Sequence, residues 1–145
     1  MKKGLTGTHY LNYLMQKLYN DNPDDHRFLK TKFDIKLNDE TKVLELYFRV
    51  GDKVINTKND YKTPWYYVKD GVLYENQQNA GITNGEVGTI VKMIEVRDKY
   101  GDLNRKIIVH FEDKYIIYEN DFDNLELAYA ITIHKSQGSE WSAVM

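Results

Sequence analysis

LAYAITIHKSQGSEW, residues 127–141, decides how the chain is read. Residues 127–133 are apolar, β-branched or aromatic almost without a break, and they do not alternate with polar positions. An unalternating run of this length predicts a strand covered on both faces, as in the parallel sheet of an α/β layer. Then His134, Lys135, Ser136, Gln137, Gly138, Ser139 and Glu140 arrive together. A strand that ends in a glycine-containing turn and enters a helix aims backbone N–H groups outward, where an anion can sit. Lys135 adds charge, Ser136 and Gln137 add neutral donors, and the Glu140 carboxylate can accept hydrogen bonds from sugar hydroxyls. On spacing alone, a solvated strand-to-helix turn capped by Ser136 or Ser139 is the simpler reading.

Upstream the period changes. KVLELYFRV, residues 42–50, places Leu44, Leu46, Phe48 and Val50 on one face of a strand, and GDKVINT follows with a turn glycine at Gly51. GEVGTIVKMIEV (85–96) and KIIVHFEDKYIIYE (106–119) read as further strands joined by the turn-rich RDKYGDLN. The EDK at 112–114 predicts a tight reversal, pairing 107–111 with 115–118. Residues 59–81, aromatic and rich in Gly and Asn, read as a long loop or an extra hairpin on a small barrel. Near the start, THYLNYLMQKLYN (8–20) carries Leu11, Leu14, Met15 and Leu18 at helical spacing, with Thr8 as N-cap and NDNPDD as terminator. Residues 21–41 read as a polar surface excursion. The order is therefore helix, small all-β unit, then a buried α/β-type strand. This mixed α+β pattern fits a β module inserted into an α/β domain, with expected divisions at 1–41, 42–120 and 121–145.

The chain has 145 residues, 41% hydrophobic and 29% charged, the balance of a soluble globular protein. It has no cysteine, which excludes disulfides and thiolate metal sites and points weakly to a reducing, cytoplasmic compartment. The first residues lack the continuous apolar stretch of a signal peptide, and nothing approaches a transmembrane span. With 20 basic and 22 acidic residues the net charge is −2, so any contact with nucleic acid must be local rather than driven by overall charge. The four histidines (His9, His26, His110, His134) show no ligand spacing, so no metal site is expected. Serine nucleophile elbows, dinucleotide loops and a GxxxxGK[ST] phosphate cradle are absent from these residues.

LAYAITIHKSQGSEW closely resembles motif V of superfamily 1 DNA helicases of the RecD-like branch. MKKGLTGTHYLNYLMQ is similar to the family segment in which a glycine pair precedes "LN" and a glutamine. GDKVINTKNDY followed by ITNGEVGTIV is similar to the signature that opens the family's SH3-like barrel. The resemblance implies part of a second RecA-like motor domain with an SH3-like barrel inserted in it, belonging to an ATP-dependent helicase of recombination or repair that moves 5′ to 3′. It implies that Gly138, Glu140 and Gln137 approach the nucleotide, and that Thr132, His134, Lys135 and Ser136 face the DNA backbone. The implied partners are single-stranded DNA, the first RecA-like domain and, where the parent works in a complex, other exodeoxyribonuclease V subunits; no membrane is involved. ATP and Mg²⁺ would belong to the parent. Hydrolysis needs a phosphate cradle, a Mg²⁺-binding acid and usually a stabilising arginine. These 145 residues lack the first two and stop before the arginine-bearing motif, so no catalytic residue is assigned, no bound cofactor is expected, and the chain alone is expected to be inactive.

Aromatics and lysines cluster around the β unit. Trp65, in what reads as a loop after Pro64, and Lys62 are candidate DNA contacts, through base stacking and charge. The competing function is a stand-alone SH3-like adaptor that binds a peptide or protein. The anion-suited turn after residue 133 discriminates against it, since an adaptor has no use for one.

Overall fold

The computed structural model describes residues 2–20 and 27–129, which form one helix and nine strands in two compact units. Among the described residues, one unit comprises 2–20, 27–49 and 127–129, and the other runs Val50–Glu126. The chain thus leaves the first unit, builds the second and returns.

In the first unit, helix α1 (Lys2–Tyr19) precedes a two-stranded antiparallel sheet of β1 (Arg27–Leu37) and β2 (Glu40–Arg49). Asn38 and Asp39 both take positive φ in the two-residue connection, the conformation of a tight hairpin turn. The alternation read in 42–50 is present, with Leu46 and Phe48 fully buried. However, β2 pairs with β1 and lies outside the larger sheet, so residues 21–41 contain a strand where a featureless excursion was expected.

The helix departs from expectation more sharply. Among its described side chains, those of residues 8–19, the buried ones are His9, Asn12 and Gln16, whereas Leu11, Leu14 and Leu18 are exposed, Leu18 by 74%. Apolar periodicity assigned the wrong face, because the inward face is used for hydrogen bonding. Asn12 Nδ2 donates to the Leu127 carbonyl at 3.1 Å, and Gln16 Nε2 donates to the Tyr47 carbonyl at 2.7 Å. A buried carbonyl without a donor is costly, and these two amides remove that cost.

The larger sheet, which makes up the second unit apart from Leu127, has seven strands: β3 (Lys53–Asn56), β4 (Asp60–Lys69), β5 (Val72–Ile82), β6 (Val87–Arg97), β7 (Leu103–Phe111), β8 (Lys114–Glu119) and β9 (Leu125–Leu127). Its order is β5-β4-β8-β7-β6-β3-β9. The pairings β3–β6, β4–β5, β4–β8, β6–β7 and β7–β8 are antiparallel. Val54, Ile82, Ile90, Ile107, Val109, Phe111 and Ile116 form the buried centre. Gly88 lets β6 approach β7 closely, since a Cβ there would lie 2.6 Å from the His110 carbonyl oxygen.

The reversal at 112–114 is as expected, with Phe111 opposite Lys114. Residues 59–81 are the β4–β5 hairpin, closed by Asp70 and Gly71, both at positive φ. The expected closed barrel is absent among the described residues, because the sheet runs open from β5 to β9. Pro64 donates nothing to a ladder, the register shifts on both sides of it, and β4 meets β8 at Tyr66–Tyr115. The hairpin thereby extends the sheet. The strand expected over 127–133 is described only to Leu127. Leu127, Ala128 and Tyr129 are buried, and residues 130–133 lie outside the described residues. A RecA-like α/β layer is not seen among the described residues.

Candidate nucleic-acid interface

The loop after β3 is built around Asn56. Its Nδ2 donates to the carbonyls of Lys58 (2.7 Å) and Thr83 (3.1 Å), and its Oδ1 accepts from the Tyr118 hydroxyl at 3.0 Å. The loop is tied further by Asn59 Oδ1, which accepts from the Asn84 N–H, and by Asp60 Oδ1, which accepts from the Lys62 N–H. Hydrogen bonds from the Thr63 side chain and the Lys62 backbone hold the Asp60 carboxyl below its usual range. Burial raises the Tyr118 hydroxyl well above the ordinary phenol value, with the negative charges of Glu86 and Asp60 adding to the effect.

A second knot lies at the turn before β6. Lys114 is buried; its Nζ meets Glu86 Oε1 at 2.5 Å and sits 4.6 Å from the centroid of the Trp65 ring. Glu86 Oε2 accepts from the backbone and hydroxyl of Thr83. Burial alone would raise the Glu86 carboxyl, but the hydrogen bonds from Lys114 and Thr83 outweigh it and hold the group below the usual carboxylate range.

On this braced framework stand the groups open to solvent. Lys58, Asn59, Asp60, Tyr61, Lys62 and Asn124 line a shallow cavity of about 350 Å³, and Tyr61 is 71% exposed. Along the hairpin, Tyr67 and Tyr74 are cross-strand neighbours whose rings stack at 5.7 Å between centroids; both are exposed. Ordered aromatic faces beside lysines can stack unpaired bases and hold phosphates. These groups are a candidate surface for such contacts; among the described residues no cluster of three His, Asp or Glu could hold a metal ion.

Of the residues singled out from sequence, Lys62 is exposed at the loop. Trp65 is only partly exposed; its Nε1 donates to the Gly81 carbonyl at 2.6 Å and Lys114 covers its ring, which makes it a brace rather than an open platform. Thr132, His134, Lys135, Ser136, Gln137, Gly138 and Glu140 lie outside the described residues, and with them the expected holders of ATP. Sequence reading did not single out the Lys114–Glu86 pair, because residues 28 apart give no local signal. Tyr67 and Tyr74 were detectable through the Asp70-Gly71 turn, which sets them opposite each other.

The chain is 30% identical over 146 aligned residues to the ATP-dependent RecD2 DNA helicase of Deinococcus radiodurans, covering 100% of this chain and 15% of that protein. It is 31% identical over 150 aligned residues to the uncharacterized protein MJ1519 of Methanocaldococcus jannaschii, covering 99% of this chain and 11% of that protein. The chain therefore spans less than a sixth of either relative. No family model matches it, and no solved structure matches it significantly. The similarity supports a helicase-related region. Among the described residues, no helix is long and apolar enough to cross a membrane.

Proposed function

We propose that this chain is the DNA-tracking part of an ATP-dependent DNA helicase acting in recombination or repair. Its β unit lies along single-stranded DNA, and the segment 132–140 serves ATP and DNA together. The observation that carries the reading is the similarity, along the length of this chain, to part of the RecD2 helicase. The braced loop at Lys58–Lys62 and the exposed Tyr67–Tyr74 stack give it a physical surface. Each base stacked on an aromatic ring contributes about 1–3 kcal/mol, so a few such contacts suffice despite a net charge of −2.

In this reading the β unit is a variant of the SH3-like insertion whose β4–β5 hairpin lengthens the sheet. The first RecA-like domain supplies the phosphate cradle and the Mg²⁺-binding acid, so the chain alone turns over no ATP. Fluorescence anisotropy with a labelled oligo-dT tests the binding. Lys62→Glu with Tyr67→Ala should weaken it by about tenfold or more while the melting temperature is kept. Unchanged affinity removes the β unit from the DNA path, and DNA-stimulated ATP turnover by the chain alone refutes the division of labour.

A further inference from the structure

Beside the loop at Lys58–Lys62 the second unit holds a smaller cavity of about 180 Å³. Lys58, Asp60 and Asn124 line both this space and the shallow one described above, so the two adjoin. Ile82 and Ile116, both buried, give it an apolar wall. Pockets for drug-sized ligands run to roughly 300–1,000 Å³, so a space this small suits a single planar ring.

The polar groups around it are one-sided. Asn56 spends its Nδ2 hydrogens on the carbonyls of Lys58 and Thr83, and the Tyr118 hydroxyl donates to Asn56 Oδ1. The Thr63 hydroxyl serves the Asp60 carboxyl. These neutral donors are committed within the fold, so the wall presents acceptors: the carboxylates of Asp60, Glu119 and Asp121, and the lone pairs of the Tyr118 oxygen. Asp60 already accepts from the Lys62 N–H and Asp121 from the Asp123 N–H, yet each carboxylate keeps further acceptor sites, and Glu119 is exposed. The acids are spread around the space, since no three of them come close enough to hold a metal ion. The side chains left to donate are Lys58 and Asn124, which also line the outer cavity.

We infer that this inner cavity takes a nucleobase carrying an exocyclic amino group, while Lys58 and Lys62 outside it hold the neighbouring phosphates. The inference rests on the DNA-tracking reading above and adds a base preference to it. An amino group such as N4 of cytosine donates to a carboxylate, and its ring can lie against Ile82 and Ile116. Thymine carries a carbonyl oxygen in that place, which would face the acceptors of the wall and be repelled. A free cationic amine would suit the same acceptors, but the lysines at the mouth oppose its entry.

Fluorescence anisotropy of the full chain with labelled twelve-residue oligo-dC and oligo-dT, at neutral pH and one salt concentration, tests the preference. Oligo-dC should bind about tenfold tighter, the discrimination that one good base contact provides. Glu119→Gln combined with Asp121→Asn replaces acceptors by amides that also donate, and should bring the ratio of the two affinities down toward one. Removing negative charge tightens both complexes, so the ratio is the readout. Should the double variant fail to fold by circular dichroism, Glu119→Gln alone, at an exposed position, carries the test. Tyr67→Ala should weaken both oligonucleotides alike and keep the ratio. Equal affinity of the parent chain for oligo-dC and oligo-dT overturns this inference and leaves the DNA-tracking reading standing. A preference for oligo-dC that survives the substitutions undiminished puts the contact elsewhere and overturns it too, whereas binding of neither oligonucleotide overturns both readings.

Discussion

Nζ of Lys114 stands 2.5 Å from Oε1 of Glu86, tying the first residue of β8 to the turn that leads into β6. The ammonium is almost wholly buried, while the carboxylate keeps 30% of its exposure. Removing one partner of such a pair leaves the other charge in poor solvent, which costs more than the intact pair contributes.

Glu86→Gln should therefore destabilise the second unit at neutral pH by about 2 kcal/mol, less than for a fully dry pair because water still reaches the carboxylate. The hydrogen bonds from Lys114 and Thr83 hold its folded-state pKa below the ordinary glutamate value. The stabilisation is present above that value and fades as pH falls through the lower, folded one. Urea titrations from pH 7 to pH 3 should show the gap between parent and variant closing at the acid end. A constant gap would mean that packing, not charge, is responsible.

Asn56→Ala removes two donors and one acceptor at once and leaves the Tyr118 hydroxyl buried without the oxygen it now serves. The expected loss is about 2–4 kcal/mol. Amide hydrogen exchange should speed up around residues 57–60 and 83–86 before the rest of the sheet responds.

Tyr118 gives a prediction at the opposite end of the pH scale. Its folded pKa is raised above 10.0, so unfolded chains release this proton first as the solution becomes alkaline. The stabilisation it gives is complete below pH 10 and is lost above it. Tyr118→Phe should be less stable at neutral pH through loss of the Asn56 hydrogen bond, yet decline less steeply between pH 10 and 11.

Gly88→Ala drives a methyl group to within 2.6 Å of the His110 carbonyl oxygen and 2.8 Å of a Val109 methyl. Backbone on both strands has to part, at a cost of about 2–3 kcal/mol. Thermal melts of this variant beside Gly101→Ala, where the added atom meets nothing but the φ of 83° is strained, would separate crowding from backbone strain.

Trp65 and Tyr67 should part company in mutagenesis. Trp65→Ala strips the hydrogen bond to Gly81 and the ring beneath Lys114, so it should lower the melting temperature by several degrees. Tyr67→Ala should leave stability nearly unchanged and weaken oligo-dT binding. The reverse pattern would reassign the platform to the indole.

The sequence made the β-rich middle legible, because strand alternation and turn chemistry are local signals. The hairpin at 112–114 and the strand at 42–50 are where their residues predict them. Strand partnership was not legible: whether 42–50 joins the larger sheet or pairs with β1 depends on residues outside its own pattern. The helix misled for a different reason. Hydropathy counts Asn12 and Gln16 as surface residues, but their amides answer carbonyls 115 and 31 residues away. Two of the three stretches that suggested a helicase from sequence contain Asn12, Gln16, Asn56, Gly85 and Gly88, whose roles here are hydrogen bonds to backbone, a positive φ and a close strand approach. In those two stretches the signal is structural, whereas the chemistry expected of the chain lies in the segment 132–140, outside the described residues.

Thr57, just past β3, donates its N–H to the carbonyl of Asn124, just before β9, at 2.9 Å. Those strands are neighbours in the sheet, so the points where the chain enters and leaves the second unit share one end of it. An insertion built this way is a cassette: residues 50–126 could be swapped for a relative's version, or replaced by a short glycine-serine bridge, without stretching the host. Such grafts would let this unit be exchanged as a single genetic module, with its own fold carried along.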